Sequence, residues 1–257
     1  MTTAPVFRVV EREARVWLRL WHGLAFSMFV QPALYLAAMG VGMGELVNAH
    51  SGKVAGLDYL VFVAPGLLVA SSMQLGAGEG MWPVLAGVKW IRFYHGVVAT
   101  PITPGEVCLG HIVWITIRTM VSASAFLIVA ALLGAVPSAW GVLAIPAAAL
   151  TAISFTAGIA AFAVTQDSDV SFPMMMRLGI LPLFLFSGTF FPISQLPRGL
   201  EVLAVFSPLW HGVELARAAT TGTFDGPAIL FHVAFLSACV GVGLYYGTRN
   251  FARRLYP

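Results

Sequence analysis

The sequence has very few charged residues. Asp, Glu, Lys and Arg make up 10% of its 257 residues, against about 25% in soluble domains. Hydrophobic residues make up 59% of the chain, and the mean hydropathy is +0.87. No polar stretch is long enough to form a separate soluble catalytic domain. The composition therefore predicts an integral membrane protein.

The sequence also has few residues that could bind a metal or carry out catalysis. Both cysteines, Cys108 and Cys239, have apolar neighbours, which argues against a disulfide framework and against a metal site. The acidic pair Asp167 and Asp169 lies in a short predicted loop, where a solvated turn is favoured over an aspartyl active site. The six histidines are scattered along the chain: His22, His50, His95, His111, His211 and His232. We therefore expect no catalytic residue and no metal.

A phosphate-binding loop of the form Gly-x-x-x-x-Gly-Lys-Ser/Thr is missing from the sequence. The Gly-Lys pair that does occur, Gly52-Lys53, is followed by Val54. We therefore expect no cofactor in this chain and no binding of ATP or Mg²⁺. The net charge of +3 is small, and nucleic acid is not an expected partner. The first residues lack the apolar core of a cleavable signal peptide, so none is expected.

Six apolar segments are long enough to cross a membrane, since a transmembrane helix needs about 20 apolar residues. The candidate spans are residues 23–43, 58–78, 106–133, 140–164, 174–191 and 227–246. No internal repeat or low-complexity linker divides the chain. The predicted fold is an all-α membrane protein with six transmembrane helices in a single domain, residues 1–257.

The basic residues predict the orientation of these spans. An even number of spans places both termini on one face, and Lys and Arg favour the cytoplasmic face. Ten basic residues fall on the face of the termini: Arg8, Arg12, Arg15, Arg19, Lys89, Arg92, Arg177, Arg249, Arg253 and Arg254. The other face has Lys53, Arg198 and Arg217, while Arg118 lies within the third span. Both termini are therefore expected in the cytoplasm of a bacterial cell, with the protein in its cytoplasmic (inner) membrane.

Residues 6–22 are predicted to form an amphipathic helix in the membrane interface. Four arginines at helical spacing lie along one side: Arg8, Arg12, Arg15 and Arg19. An apolar set lies on the opposite side: Val6, Val10, Ala14, Trp17 and Trp21. A helix with a basic face and tryptophans on the other is typical of the bilayer surface. Two roles stay open, a simple topology anchor and a brace for a cytosolic partner.

Residues 80–110 form a long cytoplasmic loop that is rich in aromatic residues. A solvated loop would not expose so many of them, so we predict a short helix that docks onto another protein. The candidate contact residues are Lys89, Trp90, Arg92, Phe93, Tyr94 and His95. The alternative is a helix that lies on lipid. Thr103, Pro104 and Glu106 fit a capping box that starts the third span.

Two charges at membrane depth are candidate functional residues, because a charge inside the bilayer is costly. Arg118 lies about twelve residues into the third span, and Glu79 lies near the cytoplasmic end of the second. For Arg118 we weigh a structural ion pair or carbonyl contact against contact with a substrate headgroup. After span five the chain stays half apolar, although it carries Glu201, Glu214 and three helix-breaking prolines, Pro192, Pro197 and Pro208.

The chain resembles the permease subunits of type-2 ABC exporters, in particular the nodulation-factor (lipo-oligosaccharide) and daunorubicin-exporter-like branch. The resemblance is carried by "YLVFVAPGLLVASSMQ" (59–74), "ATPITPGEVCLGHIVW" (99–114), "FLFSGTFFPISQLP" (184–197) and "FSPLWHGVELAR" (206–217). It implies a coupling helix between spans two and three that fits a groove of a separate ATPase. It also implies short helices after span five that re-enter the membrane from outside, so that the segment with the three prolines forms a lid.

The resemblance implies an ATP-driven exporter of an amphiphile, such as a lipid-linked glycan, a glycolipid or a hydrophobic drug. The permease itself would be non-catalytic. Its partners would be two copies of a nucleotide-binding ATPase subunit, which binds ATP and Mg²⁺, a second permease copy or close paralogue, and membrane lipid. The alternative is an intramembrane enzyme or assembly factor that acts on lipid without an ATPase. An amphipathic loop on the outer leaflet remains the alternative to the lid.

Overall fold

A computed structural model of the protein describes residues 5–19, 29–30, 32–44, 46 and 52–256. This part of the chain is almost entirely helical and contains no strand beyond an isolated bridge between Val54 and Leu57. The helices are α1 (Pro5–Arg19), α2 (Tyr59–Leu85), α3 (Phe93–Val98), α4 (Pro104–Leu132), α5 (Ala144–Ala163), α6 (Ser171–Met174), α7 (Leu181–Phe186), α8 (Arg198–Val205), α9 (Pro208–Thr221) and α10 (Gly226–Leu255). Helical turns of other types occupy Ala37–Met43, Ala86–Trp90, Ala139–Leu143, Met175–Ile180 and Ile193–Gln195.

Four helical segments of the described chain are long and apolar enough to cross a membrane. They are Tyr59–Trp90, Pro104–Leu132, Ala139–Ala163 and Gly226–Leu255. These helices coincide with predicted spans two, three, four and six. The capping box at the start of α4 is confirmed: the Glu106 N–H donates to Thr103 Oγ1 at 3.3 Å, and the Thr103 N–H donates to the Glu106 carboxylate at 2.7 Å. Residues 23–28 and 31 of predicted span one lie outside the described residues, so the count of six remains a prediction.

Small residues bring the helices close together around α5, which packs against α2, α4, α9 and α10. A Cβ atom on Gly76 of α2 would lie 2.6 Å from the carbonyl oxygen of Ala152, and one on Gly243 of α10 would lie 2.7 Å from the Cβ of Ala157. Helices in a bilayer associate through such close packing because lipid is as apolar as their side chains. Thr156 adds a polar link, since its hydroxyl donates to the carbonyl oxygen of Gly76 at 3.0 Å.

The second span is longer than predicted. The sequence interpretation ended it at residue 78 and began a loop at residue 80, whereas the helix continues through Pro83 to Leu85 and then as a π-helical turn to Trp90. Helix packing explains the difference, because Gly80 lets α2 remain in close contact with Thr156 and Ile159 of α5. Glu79 therefore lies inside a continuous helix rather than near its end.

The helix of span five is shorter than predicted. Residues 174–191 were expected to be helical, but the helical stretch Ser171–Phe186 ends five residues earlier. Its middle is the π-helical segment Met175–Ile180. Gly188 follows with φ of 76°, a left-handed conformation that does not continue a helix. The last predicted span shows the opposite error: α10 runs on to Leu255, with Arg253 and Arg254 in the last turn, where cations favour the helix dipole.

Candidate functional site

The predicted docking segment has an exposed tip. Helix α2 ends in the π-helical turn, and Arg92 then adopts a left-handed conformation with φ of 59°, which is uncommon for a residue other than glycine. This reversal leaves Trp90 54% exposed and Ile91 71% exposed, with Lys89 and Arg92 beside them. Because these residues belong to the loop predicted to be cytoplasmic, we call Lys89–Arg92 the cytoplasmic tip. It offers two large apolar side chains flanked by two cations.

The second half of the docking segment is an anchor rather than a surface. Tyr94 is 1% exposed, its ring lies 5.8 Å from that of Phe251 in α10, and a Cβ on Gly87 would collide with it. Burial raises the pKa of Tyr94, so the phenol stays neutral. Phe93 and His95 are half-buried. Of the six predicted contact residues, Tyr94 therefore has no side chain available to a partner, because it fixes α3 to α10.

A clasp of two ion pairs ties the tip to two other elements. Asp167, in the loop between α5 and α6, accepts from Lys89 Nζ at 2.7 Å and from Arg254 Nη2 at 2.5 Å. The hydrogen bond from Lys89, together with that from Arg254, lowers the pKa of Asp167 to about 2. The sequence interpretation read this aspartate as part of a solvated turn. Its side chain is indeed 74% exposed, but it joins three segments of the chain.

The two intramembrane charges form an ion pair. Arg118 Nη1 lies 2.6 Å from Glu79 Oε1, and the two side chains are 16% and 24% exposed. The ring of His111 lies 3.0 Å from the carbonyl oxygen of Glu79 through Nε2. An ion pair is one of the two roles that the sequence left open for Arg118. The ion pair links α2 to α4, and both helices continue beyond the charged residues.

Helix α1 covers this ion pair. Val9 and Val10 are buried against α4, where a Cβ on Gly110 would lie 2.7 Å from Val9, and the indoles of Trp17 and Trp114 meet edge to face at 6.3 Å. Helix α1 is described as far as Arg19, and Trp21 of the predicted interfacial helix lies outside the described residues. Arg8, Arg15 and Arg19 are exposed along the other face, while Arg12 turns toward α3 and stacks 3.7 Å above the centre of the Phe93 ring. Residence in the membrane interface remains a prediction.

A cavity of about 340 Å³ lies between α1, α2, α3 and α4. The Glu79–Arg118 pair forms part of its wall, as does the neighbouring Arg12–Glu13 pair, in which the two groups are 2.5 Å apart. The rest of the wall is mainly aromatic and aliphatic: Val16, Trp17, Pro83, Ala86, Ile91, Phe93, Tyr94, His111 and Trp114. The cavity thus places two cations, two carboxylates and several apolar side chains around one space.

The segment after span five folds into a helical hairpin. Pro197 precedes α8 and Pro208 begins α9, so the prolines lie where helices start, while Pro192 precedes a short 3₁₀ turn. The far end of α9 meets the loop between α4 and α5, where the Ser138 N–H donates to the Thr220 carbonyl at 3.0 Å. Its near end, Pro208, lines a cavity of about 660 Å³ with residues midway along α5 and α10.

Helix α9 is thus inserted among the long helices for its whole length, and it packs on α2, α5 and α10. Gly212 permits the closest contact, because a Cβ there would lie 2.0 Å from Thr151 Oγ1. This geometry supports a segment that enters the bilayer and returns, which only a protein-covered backbone can do. The two glutamates predicted in the lid lie on different helices. Glu201 is half-buried in α8, and Glu214 contacts Arg217 in α9.

The sequence interpretation counted Arg217 only as a charge on the face opposite the termini, whereas its side chain is largely buried in the protein. Its Nη1 is 2.6 Å from the Glu214 carboxylate, its Nη2 donates to the carbonyl of Gly188 at 2.7 Å, and its guanidinium lies 4.1 Å above the centre of the Phe62 ring. It therefore ties α9 to the end of span five and to α2. No signal in the sequence indicates this role, because Gly188 and Phe62 belong to other segments of the chain.

A histidine pair joins the hairpin to α10. His211 and His232 approach to 2.7 Å between their Nδ1 atoms, so one ring donates and the other accepts, and His211 stacks on Phe235 at 4.0 Å. The two residues are 21 positions apart on different helices. Sequence inspection treated all six histidines as scattered, because nothing in their spacing shows that α9 folds back beside α10.

These features agree with the comparison of the chain with known proteins. Residues 5–220 match the family described as ABC-2 type transporter, and the chain belongs to this family. Nodulation protein J of Rhizobium leguminosarum bv. viciae is 27% identical over 248 residues, which cover 96% of this chain and 93% of that protein. Nodulation protein J of Bradyrhizobium diazoefficiens is 29% identical over 250 residues, with coverage of 93% and 92%.

The inner membrane transport permease YadH of Escherichia coli K12 is 24% identical over 241 residues, which cover 89% of this chain and 90% of that permease. The resemblance noted from the sequence is therefore confirmed. The chain is an integral membrane protein and a permease subunit of an ABC transporter. Proteins of this family pair with an ABC ATPase subunit and are generally non-catalytic themselves.

Proposed function

We propose that this chain is the permease of an ATP-driven exporter that moves an amphiphile out across the bacterial cytoplasmic membrane. The cargo would be a lipid-linked glycan, a glycolipid or a hydrophobic drug. The observation that carries the proposal is the cytoplasmic tip, because exposed Trp90 and Ile91 are flanked by cations and the segment behind them is fixed to the long helices. A partner that pushes on such a tip moves those helices with it.

The proposed coupling path has two branches. Tyr94 transmits movement of the tip to Phe251 in α10 through direct ring contact. Asp167 transmits it through its ion pairs to the loop after α5 and to Arg254. Asn250 joins these branches, since its side-chain amide donates to the carbonyl of Ala161 at the end of α5 at 2.8 Å. The tip is therefore connected to α5 and α10 as well as to α2.

The hairpin α8–α9 would be the external lid. Its inner end reaches the middle of α5 and α10, whereas its outer end contacts the α4–α5 loop. Val202, Leu203 and Phe206 are exposed on α8 and its end, an apolar surface that suits lipid or a second permease. Two permeases, identical or closely paralogous, and two ATPases would form the transporter, with both termini of each permease in the cytoplasm.

Co-purification with the partner ATPase tests this proposal. The full-length chain would be expressed with candidate ABC ATPase subunits, isolated in detergent, and assayed for ATP hydrolysis with and without amphiphiles. We expect a complex of two permeases and two ATPases whose hydrolysis rate responds to a lipid-linked glycan, a glycolipid or a drug. A permease that acts on lipid by itself and binds no ATPase would favour the intramembrane enzyme or assembly factor.

A further inference from the structure

The cavity beside α1 contains hydrogen-bond donors that the described residues leave without acceptors. Trp17 Nε1 and Arg118 Nε are buried and have no hydrogen-bond partner. Among the described residues, the Arg118 guanidinium has a single ionic partner, Glu79, although it carries five N–H donors. A buried donor without an acceptor costs about 1–3 kcal/mol. Two residues that line the cavity therefore have an N–H group without an acceptor, and one of them, Arg118, is a cation.

The existing ion pairs show which other groups a ligand would meet. Arg12 and Arg118 line the cavity with Glu13 and Glu79, so the four charges sum to zero. A simple anion would be repelled by the two carboxylates as strongly as it is attracted by the two arginines. A group that carries phosphate oxygens together with ammonium or hydroxyl donors would complement all four charges. Phosphate forms strong, often bidentate bonds with arginine.

The position of the cavity determines how such a group would arrive. Arg118 lies about 21 Å along α4 from its first residue, at 1.5 Å per residue. Ile117 and Val121, next to Arg118 along α4, are 42% and 44% exposed, so apolar surface lies beside the charge. Trp17 and Trp114 also line the cavity, and such rings are typical of headgroup depth. A headgroup with attached hydrocarbon chains would use both the charges and the exposed apolar surface, whereas a soluble ion would use the charges alone.

We propose that this cavity binds the phosphate-bearing headgroup of a membrane lipid, with Arg118 and the Trp17 indole as donors and Glu13 and Glu79 as acceptors for the amine or hydroxyls of the headgroup. Both unpartnered N–H groups are covered by protein atoms, so the wall around Trp17 must move for the headgroup to reach them. Only the statement that this lipid is the cargo rests on the proposed function. A resident bilayer lipid would use the same chemistry.

Native mass spectrometry of the delipidated full-length chain tests the site. The probes are dioleoylphosphatidylethanolamine, dioleoylphosphatidylglycerol and dioleoylglycerol, which has the same chains without phosphate. We expect both phosphate lipids to bind at least tenfold more tightly than dioleoylglycerol. Trp17→Phe, which removes one N–H and keeps the ring, should weaken phosphate-lipid binding about threefold to tenfold, the value of one hydrogen bond. Glu79→Gln/Arg118→Gln, which keeps the site neutral, should abolish the preference for phosphate.

The matched control is Glu214→Gln/Arg217→Gln, which removes a similar ion pair in α9 and should leave the preference unchanged. Equal binding of the three probes, or an unchanged preference in both cavity variants, would overturn the proposal. The assay needs no ATPase, so its outcome is independent of whether the chain is an exporter. ATP hydrolysis by the complex of permease and ATPase then distinguishes a cargo lipid from a resident lipid. A cargo lipid stimulates ATP hydrolysis in the wild-type complex and not in the Glu79→Gln/Arg118→Gln complex. A resident lipid binds without stimulating hydrolysis.

Discussion

Arg118 is retained inside the bundle because Glu79 neutralises it. The pair is mostly buried, with exposures of 16% and 24%, and breaking one side of such a pair leaves a charge that protein and lipid cannot solvate. Removal of one partner of a buried pair costs about 3–5 kcal/mol, while replacement of both is often nearly neutral. Removal of Arg118 alone should therefore destabilise the protein, whereas replacement of both Glu79 and Arg118 by neutral residues should cost much less.

We predict that Arg118→Leu inserts as well as wild type, since an apolar span is cheaper to insert, but is less stable and does not transport. Glu79→Gln/Arg118→Gln should recover more than half of the lost stability, because no carboxylate is left unpaired. Thermal unfolding in detergent, followed by tryptophan fluorescence, measures both variants. If the single variant is as stable as the double variant, the pair contributes nothing to the fold.

The docking segment yields a second residue-scale prediction, because its aromatic residues divide into surface and core. Trp90→Asp should leave the fold intact and weaken ATPase binding at least tenfold, since Trp90 is 54% exposed. Tyr94→Asp should instead destabilise the permease by roughly 3–5 kcal/mol, the usual cost of losing a large buried side chain. Monodispersity and pull-down of the ATPase separate the two. An unchanged pull-down with Trp90→Asp would remove the tip from the coupling path.

Sequence inspection could find some of these residues and not others. Arg118 was recognisable because one charge interrupts an apolar run, but its partner was not, since Glu79 lies 39 positions away on a helix whose length was underestimated. Arg217 and His211 were missed because nothing in the segment after span five shows which of its residues face the long helices. Tyr94 could not be distinguished from Trp90, since both belong to one aromatic run.

At the level of elements, the hairpin α8–α9 makes a prediction about accessibility. Single cysteines at Ser194 and Thr221, in a background without Cys108 and Cys239, should react with an impermeant thiol reagent added outside. A cysteine at Val205, near the inner end of the hairpin, should be protected or react only in some transport states. Ser194 is exposed in the structure and Val205 is partly buried.

Uniform strong labelling from Ser194 to Thr221 would replace the lid with a surface loop. Labelling of one end from the cytoplasm alone would show a complete additional span instead. Neither outcome would alter the four long helices, because those rest on their own length and apolar composition. Wild-type transport by each single-cysteine variant is the control that the fold is intact.

The clasp at Asp167 predicts sensitivity to salt and insensitivity to pH. The pKa of Asp167 is lowered from its usual value of 3.8 to about 2, so its ion pairs are fully formed above the higher value and are lost only as pH falls through the lower one. Between about pH 5 and pH 8, where unperturbed carboxylates are already ionised, the clasp should not change. Exposed ion pairs are weakened by salt.

Hydrogen exchange of α3 and of the tip measures this effect in the permease alone. Asp167→Asn should raise exchange there by the same factor at pH 6, 7 and 8, and the difference from wild type should shrink at high salt. Asp167→Glu, which keeps the charge, should behave nearly as wild type. A difference that varies strongly with pH in this range would assign the effect to another group.

Helix ends were the least predictable elements. The capping box gave the start of α4 because Thr103 and Glu106 form local hydrogen bonds that depend on their spacing alone. The ends of span two and span five depended on contacts with other helices, such as Gly80 against Thr156, and on the left-handed Gly188. Neither feature can be read from one segment of sequence.

At the level of the whole molecule, the charges and contacts form two separate regions. One region contains the tip, the clasp and the cavity beside α1, while the other contains Arg217, the histidine pair and the end of α9. Helices α5 and α10 connect them, because both contact the hairpin and both reach the clasp. Export by this permease would require movement to pass along these two helices.

Transport in proteoliposomes tests this account most directly. The permease and its ATPase would be reconstituted with the ATPase face outward, so that export moves a fluorescent phosphate-bearing amphiphile to the inner leaflet, where an external quencher cannot reach it. We expect protection that requires ATP hydrolysis and is lost in Trp90→Asp, with the permease correctly inserted in both cases. Protection that is equal without ATP, or unchanged in Trp90→Asp, would contradict ATP-driven export through the cytoplasmic tip.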